Sequence, residues 1–158
     1  MILDTGSPWV WIMSDDCKDC PSNVKLFNQR ASSTFYFYDV VIDLHFGEGS
    51  VYGYNGIDQI CPKLDKCGGD FSFVDVLYQT GLRDHMSEQS GSIGMSPRRD
   101  STESDLFIEK MKKDGVIKAA IFSLMVGIGG GQPSKMTLGG YDLNQYAIPG
   151  QNLTFHKI

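Results

Sequence analysis

Asp4-Thr5-Gly6-Ser7 puts a potentially reactive carboxylate, a group able to give or take a proton, in a tight turn directly ahead of the apolar run Pro8-Trp9-Val10-Trp11-Ile12. Taken alone, the same residues form an ordinary Asx turn, in which the aspartate side chain caps the backbone two residues on. Other reactive side chains are less well set. His45, His85 and His156 are far apart and match no metal-ligand spacing, and no metal site is expected. Ser7, Ser50 and Ser90 lack a Gly-x-Ser-x-Gly context, which weakens a serine hydrolase reading. Gly127-x-Gly129-Gly130-Gly131 follows a strand-like run, but Pro133 and Met136-Thr137-Leu138 come next instead of a helix, so a hairpin turn is expected there and not a phosphate cradle.

The four cysteines, Cys17, Cys20, Cys61 and Cys67, are an even number in a turn-rich chain, which favours two disulfides and an oxidising compartment. Cys17-x-x-Cys20 also has ligand-like spacing, so a four-thiolate zinc site is the rival. Against it, Cys61 to Cys67 is wider than a usual second knuckle and no glycine follows Cys20. Free thiols in a reducing cytosol are the third reading, and the sequence allows three pairings.

At 158 residues the chain holds one domain with a sizeable core, and a second complete domain does not fit. It is 41% apolar with 18 Gly and 6 Pro, outside the range of disordered chains. The net charge of -5, with basic residues scattered except at Arg98-Arg99 and Lys110, Lys112, Lys113, disfavours nucleic-acid binding. No apolar stretch reaches membrane-spanning length, and Met1-Ile2-Leu3 lacks the basic start and apolar core of a signal peptide.

Val10-Trp11-Ile12 reads as a strand leaving the Asp4 turn. Residues 35–46 and 51–60 read as two strands joined by a hairpin tip at Gly47-Glu48-Gly49-Ser50, and residues 71–78 as a third strand with both faces largely apolar. Residues 81–90 are polar and read as a surface loop. A helix is predicted over 104–113, with Thr102-x-x-Asp105 as a capping box, Phe107 and Met111 as an apolar pair, and Gly115 as C-cap. Lys110, Lys112 and Lys113 fall in its last turns, where cations suit the dipole. Residues 119–126 and 136–140 read as short strands. Many short strands with one short helix argue an all-β domain.

The Asp4 turn is followed in order by Phe46-Gly47-Glu48-Gly49-Ser50, Ser90-Gly91-Ser92-Ile93-Gly94-Met95, residues 107–122 running into Ser123-Leu124, and Met136-Thr137-Leu138-Gly139-Gly140-Tyr141-Asp142. Together these segments cover nearly the whole chain and resemble the pepsin-like aspartic proteases (peptidase A1). The resemblance implies an all-β, pepsin-like lobe of mainly antiparallel sheets with one or two short helices. It also implies an aspartic endopeptidase that takes peptide or unfolded protein and needs no cofactor. In that family two carboxylates share one proton; one acts as base toward a bridging water while its protonated partner donates to the scissile carbonyl oxygen.

Carried over residue by residue, Asp4 is one such carboxylate, Gly6 lets the backbone approach it, Ser7 supports its outer oxygen by a hydrogen bond, and Thr5 locks the loop to its counterpart. Phe46, Gly47, Glu48 and Gly49 match the substrate-covering flap. Phe46 stands where the family has tyrosine, so the phenolic hydroxyl and its bond to the indole N–H of Trp11 are lost. Ser90 replaces an acid of the family pattern and Ser92 a core aliphatic. The family's stapled loops imply the pairs Cys17–Cys20 and Cys61–Cys67. Asn152-Leu153-Thr154 is an N-glycosylation acceptor pattern, compatible with a secreted or lysosome/vacuole-like protein.

The family's chemistry needs two Asp-Thr-Gly-type loops, and this sequence holds one. The expectation is that residues 1–158 are a fragment, a partial N-terminal lobe ending near the interlobe connection at 150–158, with the C-terminal lobe absent and the chain inactive alone. Alternatives are a noncatalytic peptide-binding or structural lobe, and a retropepsin-like homodimer in which two copies of Asp4 meet.

Overall fold

The computed structural model describes residues 1–47, 49–63, 65–82, 88–97, 105–128, 131 and 133–156. The long strands arise where β-branched and aromatic residues concentrate: β3 (Tyr36–Phe46), β4 (Gly49–Gln59) and β5 (Asp70–Thr80) run as an antiparallel meander. Three short strands complete a six-stranded sheet, β1 (Ile2–Asp4), β2 (Val10–Met13) and β6 (Gly91–Gly94), in the order β1-β6-β2-β5-β4-β3. Two contacts are parallel, β1 with β6 and β2 with β5, so the sheet is mixed. A separate antiparallel hairpin pairs β7 (Phe122–Met125) with β8 (Lys135–Leu138). This is the all-β architecture expected from the sequence.

Alternation along the inner strands buries both faces of the sheet. Trp11, Met13, Val74 and Val76 join Ile42, Val51 and Leu82 on one side, where the loop of Cys17 and Cys20 packs over them. Val10, Phe71 and Phe73 point the other way, onto Phe107, Ile108 and Met111 of helix α1 (Phe107–Lys113). That helix ends as the sequence implied. Gly115 takes φ +73°, Gly115 N donates to Lys112 O at 3.1 Å, and Val116 N donates to Met111 O at 2.9 Å. Lys110 pairs with Asp114 across one turn.

The start of the helix differs from expectation. Thr102 and Ser104 lie outside the described residues, and Leu106 occupies the cap with no side-chain bond. Asp105, the expected partner in a capping box, accepts instead from Ser72 N of β5 at 3.4 Å, tying the helix approach to the sheet. A short second helix, α2 (Leu143–Tyr146), is capped by Asp142, whose carboxylate accepts from Gln145 N at 3.0 Å. No helix among the described residues is long and apolar enough to cross a membrane.

Candidate active site

Asp4 is the last residue of β1, and the chain then crosses the end of β6 to return as β2 on its far side. Three backbone hydrogen bonds fix this crossing: Met95 N to Asp4 O at 2.7 Å, Gly94 N to Trp9 O at 2.9 Å, and Ser96 N to Ser7 O at 3.1 Å. Gly94 makes the close approach possible. A Cβ there would stand 2.4 Å from Pro8 C and 2.5 Å from Trp9 N, inside the backbone of the loop itself.

Within the loop, Gly6 N donates to Asp4 Oδ1 at 2.8 Å, so the turn is an Asx turn, and the half-buried carboxylate is oriented by it. A side chain at Gly6 would begin 3.2 Å from the same oxygen. Ser7 is buried at 8% exposure, and its Oγ accepts from Trp9 N at 3.1 Å and so braces the loop's own backbone. Thr5 is exposed at the crest.

The β3–β4 hairpin closes with Phe46 opposite Gly49. Glu48 lies outside the described residues, and Gly47 is exposed at the tip. Phe46 turns inward and packs on Trp11, with ring centroids 6.2 Å apart and planes inclined at 42°. Gly49 lets β4 start close against β5, since a Cβ would lie 2.1 Å from Thr80 O. Trp11, 4% exposed, thus links the strand that leaves the Asp4 loop to the hairpin tip.

The family model described as eukaryotic aspartyl protease matches residues 1–154. The chain belongs to that family. Among curated proteins it is similar to gastricsin of Oryctolagus cuniculus, 29% identical with 92% of this chain and 38% of the relative covered. Chymosin of Bos taurus is 28% identical over the same shares, and cathepsin D of Bos taurus is 27% identical over 100% of this chain and 43% of its own length. The chain thus spans less than half the length of these curated relatives.

In this chain Cys17–Cys20 and Cys61–Cys67 are both disulfides, with Cα separations of 5.6 and 4.0 Å, so the zinc and free-thiol readings fall away. His85 lies outside the described residues, and Asn152 is exposed in an irregular segment. Among the described residues no three potential ligands gather to hold a metal ion.

The structure also brings forward a residue the sequence reading passed over. Asp75 sits in the middle of β5, in register with Ile12 and Tyr54, and is only 3% exposed. Burial pushes its carboxyl up to about 6; the Ser14 hydroxyl pulls the other way, and the nearby charges of Asp15 and Asp16 add to the rise. Its Oδ1 is buried without a hydrogen-bond partner. Asp15 and Asp16 are themselves held by Arg30, at 3.8 and 2.8 Å. A carboxylate flanked by Val74 and Val76 inside an apolar strand was the available signal.

Proposed function

We propose that these residues form the N-terminal lobe of an aspartic endopeptidase, with Asp4 as one of two carboxylates that share a proton. The observation that carries this reading is the Asp4 loop, anchored by backbone bonds over the end of β6 and bearing a half-buried carboxylate oriented by Gly6 N. A second carboxylate, from outside residues 1–158, completes the site. With one of the pair ionised, a bridging water gives that carboxylate a proton while its oxygen bonds to the scissile carbonyl carbon. The protonated partner gives its proton to the carbonyl oxygen. Collapse of the resulting tetrahedral species breaks the C–N bond as the amine takes up a proton.

Thr5, exposed at the crest of the loop, is the residue that meets the counterpart loop. Gly6 and Ser7 hold the loop's shape, the first by donating to Asp4 and the second by accepting from Trp9 N. The hairpin of Phe46, Gly47, Glu48 and Gly49 covers a peptide bound as an extended strand, and Trp11 behind Phe46 fixes its height. Because the cover is aromatic, bulky apolar residues beside the cut are preferred. The two disulfides suit an oxidising destination, secreted or lysosome-like, and exposed Asn152 is an available glycan acceptor on that route.

Mapping the products made by the complete protein from a denatured polypeptide in acid tests this reading. Internal cuts next to Phe, Leu or similar residues are expected. Trimming confined to chain ends, or no cleavage at any acidic pH, would contradict it.

A further inference from the structure

Six polar or charged side chains are buried among the described residues, and five of them bond within the fold: Ser7 to Trp9 N, Ser14 to Asp16 N and to Asp75, Asp58 to Thr34, and Gln79 to Asp19 O. The sixth is Ser92. Its hydroxyl has no partner among the described residues, although the residue is only 5% exposed. A hydroxyl held that far from water without a hydrogen bond costs free energy and calls for a physical reason. Its oxygen is not sealed off either. The enclosed polar atoms without partners are Asp75 Oδ1 and Gln79 Oε1, so what exposure Ser92 keeps leads to Oγ.

β6 lies between β1 and β2, and both ladder neighbours are present. Ser92 is in register with Ile2 on one side and with Trp11 on the other. Residues in register share a face of the sheet, and alternate residues along a strand return to it. Asp4, two residues beyond Ile2, therefore presents its carboxylate on the face of Ser92 and Trp11. Strand spacing and rise put the Asp4 and Ser92 backbones roughly 8 Å apart on that diagonal. Ile93 takes the opposite face, packed with Phe107 and Met111. Phe46 of the hairpin rests on Trp11. The unpartnered hydroxyl thus lies in the floor between the Asp4 carboxylate and the aromatic pair.

We infer that Ser92 is a specificity-determining residue, its hydroxyl pairing with the phenol of a tyrosine that contributes the scissile carbonyl. The inference deepens the proposed reading of the Asp4 loop and rests on it. With the carbonyl at Asp4, the side chain beside it is the one that reaches the floor. An aromatic ring packs against Trp11 and Phe46, and a phenolic O–H donates to Ser92 Oγ. Phenylalanine fills the same space and leaves that oxygen without a partner. The aliphatic residue of the family pattern could make no such bond, so the choice belongs to this chain.

The test uses the full-length protein and two peptides that differ only in tyrosine or phenylalanine at that position. We expect kcat/KM to favour tyrosine by about fivefold or more, the worth of one hydrogen bond, and Ser92→Ala to bring the ratio close to one, chiefly by loss on the tyrosine peptide. Lost packing alone would lower both peptides alike. Titrated uncut against the Asp4→Asn protein and followed by tryptophan fluorescence, the same peptides should show the same preference, again removed by Ser92→Ala. Equal cleavage of the two peptides, or a preference that survives Ser92→Ala, would overturn the inference and leave the peptidase reading standing. If neither peptide is cut in acid, the peptidase reading fails, and equal binding of the two by the Asp4→Asn protein would overturn this inference separately. Should Ser92→Ala fail to fold, the ratio measured on the unaltered protein decides by itself.

Discussion

Replacing Asp4 with Asn in the complete protein should lower kcat by at least about 10³-fold while leaving the unfolding midpoint nearly unchanged. Asn keeps the size of the side chain and an oxygen that can still accept from Gly6 N, so the Asx turn over the end of β6 survives. What it loses is the ability to hold or release the shared proton. The loss should appear in kcat more than in KM, because the peptide contacts proposed for the hairpin around Phe46 are untouched. A variant that retains full turnover, or one that loses turnover only because it unfolds, would remove Asp4 from the role assigned to it.

The second large effect concerns stability. Folded Asp75 keeps its proton up to about pH 6, whereas its ordinary value is 3.8, so the folded chain binds more protons than the unfolded one across that interval. The sign follows directly: relative to the ionised form, neutral Asp75 favours the fold fully below about pH 4, and that advantage is lost as pH rises through 6. At roughly 1.4 kcal/mol per pKa unit the change is on the order of 2–3 kcal/mol. Asp75→Asn cannot ionise. Denaturant unfolding of the two proteins should therefore show the variant gaining on the parent by that amount between about pH 4 and about pH 7.5. A stability difference that does not change with pH would show that Asp75 stays ionised in the fold. A chain that becomes more secure as its buried carboxylate is protonated is suited to the acid in which the proposed reaction runs.

The Asp4 turn and the hairpin around Phe46 were legible because each is a short run of residue types that must be contiguous to work. Pairing across the chain was not. β1 is three exposed or half-exposed residues, and β6 contains two glycines, so neither carries a local strand signal; they are strands because Ile2, Leu3 and Asp4 meet Ser92, Ile93 and Gly94. Ser7 has a partner that spacing alone did not show: its hydroxyl oxygen accepts from the backbone N–H of Trp9, which the turn presents to it. Asp105 looked like the partner in a capping box because sequence shows spacing and not the sheet; β5 offers it Ser72 N. The disulfides named from the family were read correctly in their pairing.

The central claim is that Asp4 is half of a two-carboxylate centre whose other half lies outside these residues. It is tested most directly by incubating the purified, refolded 158-residue chain with a denatured protein at several acidic pH values, over a range of chain concentrations, with Asp4→Asn alongside to expose contaminating proteases. The account predicts no cleavage beyond that of the variant at any concentration. Cleavage that rises with chain concentration and disappears in Asp4→Asn would contradict it, and would mean that two copies of this chain bring their Asp4 carboxylates together.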